Sequence, residues 1–174
     1  MKRFFFLFVA VCLISSLYAS SVEDKYIMKT FENGQLYFIL PYDIPVQTSK
    51  AKALSADITY LTTSDSVTMN ISVWTDRELA TDSIALEGGE RIVIKDFQTF
   101  FIEPEGKLWL HRYSLRYPLV CLTKLYAAES PFSMIIYTRE QEMAYGYSSK
   151  VWSKERAWMN KILHTIDSNR RLYK

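Results

Sequence analysis

From Ala56 to Val73 the side chains alternate between apolar and polar with period two, in two runs joined by a short polar segment. Ala56, Ile58 and Tyr60 alternate with Asp57 and Thr59, and Val67, Met69, Ile71 and Val73 alternate with Thr68, Asn70 and Ser72. Thr63-Ser64-Asp65-Ser66 makes the turn between them. A helical period cannot sort these residues onto faces, whereas a two-stranded antiparallel ribbon sorts them at once. One face of that hairpin covers a core and the other meets water or a partner.

The pattern continues downstream. Gln35 to Leu40 reads as a strand stopped by Pro41, and residues 41 to 54 as an aperiodic connection. Arg91 to Ile94, Phe97 to Glu103 and Lys107 to Tyr117 read as further strands, with Pro104-Glu105-Gly106 as a tight turn. Pro118 breaks the run, Leu119 to Ala127 resumes it with Cys121 alternating with Leu119 and Leu125, and Phe132 to Thr138 follows. Val22 to Glu32 reads as a short helix or an ordered arm, and Asp76 to Ala85 as one or two helical turns ended by Gly88-Gly89. The expectation is about seven closely spaced strands, hence a mainly antiparallel sheet.

Past Ser148 the period changes. Val151, Trp152, Trp158, Met159, Ile162, Leu163 and Ile166 form one broad apolar stripe at helical spacing, with Lys150, Lys154, Asn160, Lys161 and His164 facing away. Ser148 or Ser149 can cap the start, and Arg170 with Arg171 suits the dipole at the end. Glu155 falls inside the stripe, where it either escapes to solvent or pairs with a basic neighbour. The fold class is therefore α+β, with a C-terminal amphipathic helix packed on the sheet. A lipocalin-like β-barrel with a closing helix is the rival architecture. Without repeat or linker, residues 20–174 form one domain.

The first nineteen residues stand apart. Lys2 and Arg3 precede a run from Phe4 to Leu17 that only Ser15 and Ser16 interrupt, and Leu17-Tyr18-Ala19 offers a small residue for cleavage. This is the layout of a secretory signal peptide cut after Ala19. The run is shorter than the ~20 residues that cross a bilayer, and no comparable run follows. Removing Lys2 and Arg3 from the 21 cations balances the 19 acidic residues. A neutral exported chain has no electrostatic footprint for nucleic acid. With Cys12 in the leader, Cys121 is left alone, so no internal disulfide forms; this usage suits a bacterial periplasmic or secreted protein.

Motifs for catalysis are missing. Five glycines form neither a dinucleotide nor a phosphate loop, and two histidines, His111 and His164, with one cysteine do not make a zinc site. Neither a metal nor a cofactor is expected. The residues that stand out are aromatic. Trp109, His111, Tyr113 and Tyr117 share one face of the strand 107–117 with Leu115, while Leu108, Leu110, Arg112, Ser114 and Arg116 share the other. The aromatic face is a candidate platform for a sugar, a peptide or a partner's side chain, or else the layer beneath the C-terminal helix. Arg112 and Arg116 read as surface residues whose stems lie along the sheet rather than as an anion clamp.

Three segments together, Leu40-Pro41, Met69-Asn70-Ile71-Ser72-Val73 and the closing Ile162-Leu163-His164-Thr165-Ile166, give a chain that resembles the PsbP-like α/β/α sandwich over about 35 to 168. No tryptophan follows Pro41 closely and the middle helix is short, which departs from that pattern. The resemblance implies a non-catalytic accessory or assembly factor and transfers no site residues. The expected function is thus an exported, non-catalytic binding protein of the bacterial envelope acting through a surface for a protein partner. The alternatives are a carrier with an aromatic-lined pocket for a small apolar ligand, and a small hydrolase using His111 with a carboxylate.

Overall fold

A computed structural model describes residues 22–173, so the leader expected over Met1–Ala19 lies outside the described residues. A 3-10 turn, Val22–Lys25, leads into β1 (Tyr26–Phe31), β2 (Gly34–Asp43), β3 (Leu54–Leu61), β4 (Ser66–Thr75), β5 (Thr81–Glu87), β6 (Arg91–Ile94), β7 (Phe97–Glu105) and β8 (Leu108–Pro118). Helix α1 (Leu119–Ala127), β9 (Ser133–Thr138), β10 (Glu142–Gly146) and helix α2 (Ser149–Arg170) complete it. The strands form two antiparallel sheets, one in the order β1-β2-β3-β4-β8-β7 and one in the order β10-β9-β5-β6. The α+β class with a C-terminal helix therefore holds. Both sheets are open, which removes the barrel alternative.

The hairpin pairs as its alternation requires, with Ala56 opposite Ile71, Asp57 opposite Asn70 and Ile58 opposite Met69. Its apolar face is sealed, from Ile58 and Tyr60 to Val67, Met69 and Ile71, none more than 2% exposed. Fully burying each such aliphatic side chain contributes roughly 1.5–3 kcal/mol. One connected apolar cluster joins both sheets and both helices.

Four expectations are corrected. There are ten strands among the described residues, not about seven, because Tyr26–Phe31, Thr81–Glu87 and Glu142–Gly146 also pair. The segment Asp76–Ala85 is not helical: Ile84 and Leu86 face the core as alternating residues of β5, directly opposite Ile136 and Met134. The segment Leu119–Ala127 is helix rather than strand. Leu119, Leu122, Leu125 and Tyr126 are its buried residues, a helical spacing, and Cys121 sits half-buried on it. Finally, Pro41 does not stop β2. The register shifts between Ile39 and Tyr42, and a proline without N–H is tolerated in a strand at such an irregularity.

In α2 the stripe buries Trp152, Met159, Ile162, Leu163 and Ile166. Val151 from the same stripe is left exposed at the first turn. The Ser148 carbonyl accepts from the amides of Val151 and Trp152 at 3.0 and 2.8 Å, while its hydroxyl caps nothing. Glu155 takes neither expected place: it is half-buried and accepts a hydrogen bond from Trp158 Nε1 at 2.6 Å, an indole rather than a basic neighbour. Among the described residues no helix is long and apolar enough to cross a membrane.

Candidate functional site

Strand β8 carries every residue singled out as a candidate, and the structure separates its two faces. His111, Tyr113 and Tyr117 point into the core, 1%, 2% and 4% exposed, and Trp109 is half-buried at the end of the same face. Tyr113 meets Phe97 edge-on at 5.4 Å and lies over His111 at 6.1 Å. The Tyr117 hydroxyl donates to Met69 Sδ at 3.8 Å. The aromatic row is thus a packed layer of the interior, and His111, Tyr113 and Tyr117 present no platform to solvent.

His111 anchors a buried polar chain. The Thr75 hydroxyl donates to the Arg77 carbonyl at 2.5 Å, so its oxygen accepts from His111 Nε2–H at 2.8 Å. Nδ1 is then the acceptor for the Tyr113 hydroxyl at 3.2 Å, which in turn accepts from Thr81 at 2.9 Å. Burial lowers the affinity of His111 for a proton; the Arg77 carbonyl and Glu78 oppose this without cancelling it. Burial thus favours the neutral imidazole, both its nitrogens are occupied, and the contacts run between β8, β4 and β5. This arrangement ties the two sheets together.

The wet face of β8 belongs to the polar side of the hairpin. Rows across the sheet read Ser55–Ser72–Arg112, Asp57–Asn70–Ser114 and Thr59–Thr68–Arg116, from β3 through β4 to β8. Arg112 reaches over β4 to form an ion pair with Asp57 and donates to the Ser72 hydroxyl at 2.6 Å. Asn70 Nδ2 donates to the other Asp57 oxygen at 2.8 Å. The Arg112 and Asp57 side chains keep 23% and 19% of their exposure. Arg112 is therefore a fixed member of a network rather than a loose surface cation. At the flanks lie half-buried Phe38 and Trp74 and exposed Phe101.

The helices bury their apolar residues in the core that the inner face shares, and the outer residues of β3, β4 and β8 are intermediate or exposed throughout. The hairpin's alternation predicts an outer face that meets water or a partner but does not predict the network, because Asp57, Asn70, Ser72 and Arg112 come together only through the β3–β4–β8 order. No group of His, Cys, Asp and Glu among the described residues is placed to hold a metal ion. The chain has no significant match to a family model, a curated protein or a solved structure.

Proposed function

We propose that this chain is an exported, non-catalytic binding protein of the bacterial envelope that engages its partner through the outer face of its six-stranded sheet. The observation that carries the reading is the Asp57–Asn70–Ser72–Arg112 network. Besides clamping β3, β4 and β8, the network holds four polar side chains in one geometry at partial exposure. Held this way, their donors and acceptors are ordered before a partner arrives, which cuts the entropy lost on binding. The leader pattern at Met1–Ala19 supports export. The enclosure of His111, both of whose nitrogens are committed, supports a non-catalytic role. The PsbP-like resemblance implies the same class of function.

Hydroxyl-radical footprinting of the mature protein, with and without envelope extract of its host, tests the surface. Phe38, Trp74 and Phe101 should be protected, while Val120 on α1 keeps its reactivity. Unchanged labelling of all three removes the proposed face. The native mass of the protein purified gently from its host adds two readouts. A chain beginning at Ser20 supports export, and an excess mass of a few hundred daltons would favour the carrier reading instead.

A further inference from the structure

Arg116 differs from Arg112. It lies on the same face of β8, four residues on, exposed, and no hydrogen bond or ion pair with another described residue holds its guanidinium. It stands opposite Thr68, which stands opposite Thr59. Two surface grooves share Arg116 and Thr68 as a common wall. One encloses about 360 Å³ beside Ser114, Gln98 and Asp96. The other encloses about 280 Å³ beside Thr59, Ser66 and the apolar pair Leu36 and Leu61.

We infer that this double groove takes a uronate-type, carboxylate-bearing saccharide, with Arg116 holding the carboxylate and the flanking hydroxyls and amide engaging sugar hydroxyls. The inference rests on the outer face being the partner surface. Three features select this ligand class. First, β4 and β8 are interior strands, each paired on both sides. Of the strands lining the grooves only β7, through Phe97 and Gln98, lies at the sheet edge, so over β2, β3, β4 and β8 recognition falls to side chains. Second, apart from the apolar Phe97, Leu36 and Leu61 and the charged Asp96 and Arg116, the lining consists of hydroxyls and an amide, groups that donate and accept at once, as a polyol requires. Leu36 and Leu61 add an apolar wall for the C–H face of a sugar ring.

Third, the charge is modest. A single guanidinium with Asp96 in the same groove matches one carboxylate per repeat and disfavours a phosphate, which draws several cations or backbone amides. Asp96 and Arg116 do not form an ion pair, so each remains free for a ligand, the carboxylate as an acceptor for a sugar hydroxyl.

Calorimetric titration of the mature protein with polygalacturonate, dextran and polyglutamate tests this. Polygalacturonate should bind, Arg116→Gln should weaken it at least tenfold, and dextran should bind no better than that variant. Arg116 is exposed, so the variant keeps the fold, checked by an unchanged urea midpoint. Failure of polygalacturonate to bind, or equal binding by Arg116→Gln, overturns the inference. Polyglutamate binding as tightly as the saccharide also overturns it and assigns the site to an acidic peptide. If polygalacturonate fails to bind but extract still protects Phe38 and Trp74, the saccharide falls and the partner face stands. Absence of that footprint in the unaltered protein removes the face itself.

Discussion

Arg112 on β8 and Asp57 on β3 are joined across the whole width of β4, passing between Asn70 and Ser72, each of which bonds to one member of the pair. The pair therefore clamps three strands of the six-stranded sheet from outside, opposite the core. Arg112→Ala leaves Asp57 with only Asn70, and Asp57→Ala leaves Arg112 with only Ser72. Each change should cost roughly 1–3 kcal/mol, the penalty for a half-buried charge that loses its main partner. The double variant should cost clearly less than the sum, which urea denaturation of the four proteins measures. Strict additivity would show that the pair contributes no coupling.

Helix α2 is held by its aromatic end. Trp152 lies against Tyr126 at 5.3 Å, Tyr147 at 5.8 Å and Phe132 at 6.4 Å, and its indole N–H donates to the Ala128 carbonyl at 3.2 Å. Trp152→Ala removes a large buried side chain from contact with α1, β10's exit and the segment before β9. It should destabilise the protein by about 3–5 kcal/mol. Trp152→Phe keeps the stacking and removes one of two donors to the Ala128 carbonyl, leaving Arg156 Nη1 at 3.1 Å, and should cost less. Thermal unfolding followed by near-ultraviolet circular dichroism separates the two; equal losses would mean that stacking carries little.

The elements that sequence alone predicts are those whose pattern has one physical solution. The hairpin of β3 and β4 can bury Ile58, Tyr60, Met69 and Ile71 together only as an antiparallel ribbon. Helix α2 can gather Trp152, Met159, Ile162 and Ile166 only at 3.6 residues per turn. The segment Leu119–Ala127 admitted two solutions, since Leu119, Cys121 and Leu125 fit a strand while Leu119, Leu122 and Tyr126 fit a helix. Tertiary packing chose the second. At β8 the two faces were separable by alternation, but nothing in the pattern of Trp109, His111, Tyr113 and Tyr117 says which side is wet. That depends on where the second sheet packs, a non-local fact. The network on the outer face was hidden for the same reason, since Asp57 and Arg112 are partnered only by the strand order.

Two glycines separate space from backbone conformation. At Gly146 a Cβ would stand 2.8 Å from the Phe132 carbonyl oxygen and 2.6 Å from Gln47 Nε2. The glutamine can swing away but the carbonyl cannot, so Gly146→Ala should cost about 1–3 kcal/mol as β9 and β10 are forced apart. At Gly106 nothing lies within 4 Å, but φ is +63°, in the left-handed region. Gly106→Ala should cost about 1 kcal/mol, and Gly106→Asn less, because asparagine tolerates that conformation. Urea midpoints of the three variants check the order; a mild Gly146→Ala would show that β10 moves freely.

The buried chain through His111 gives the protein a pH-dependent stability of defined sign. In the unfolded chain a histidine takes up its proton near pH 6.5, whereas in the fold burial holds His111 below that value. Below pH 6.5 the unfolded state therefore binds more protons than the folded one, and stability falls as the pH falls. The contribution is fully present above 6.5 and is lost on acidification toward the lower folded value. Protonation would also place a hydrogen on Nδ1, where the Tyr113 hydroxyl now donates, and so reverse the bond that links β8 to Thr81 on β5. His111→Gln keeps an N–H donor for Thr75 but cannot titrate. Between pH 7.5 and 5.5 the urea midpoint of the unaltered protein should drop more than that of His111→Gln, whose midpoint at pH 7.5 should be lower because the Tyr113 hydroxyl loses its acceptor. Parallel profiles in the two proteins would remove His111 as the origin of the slope.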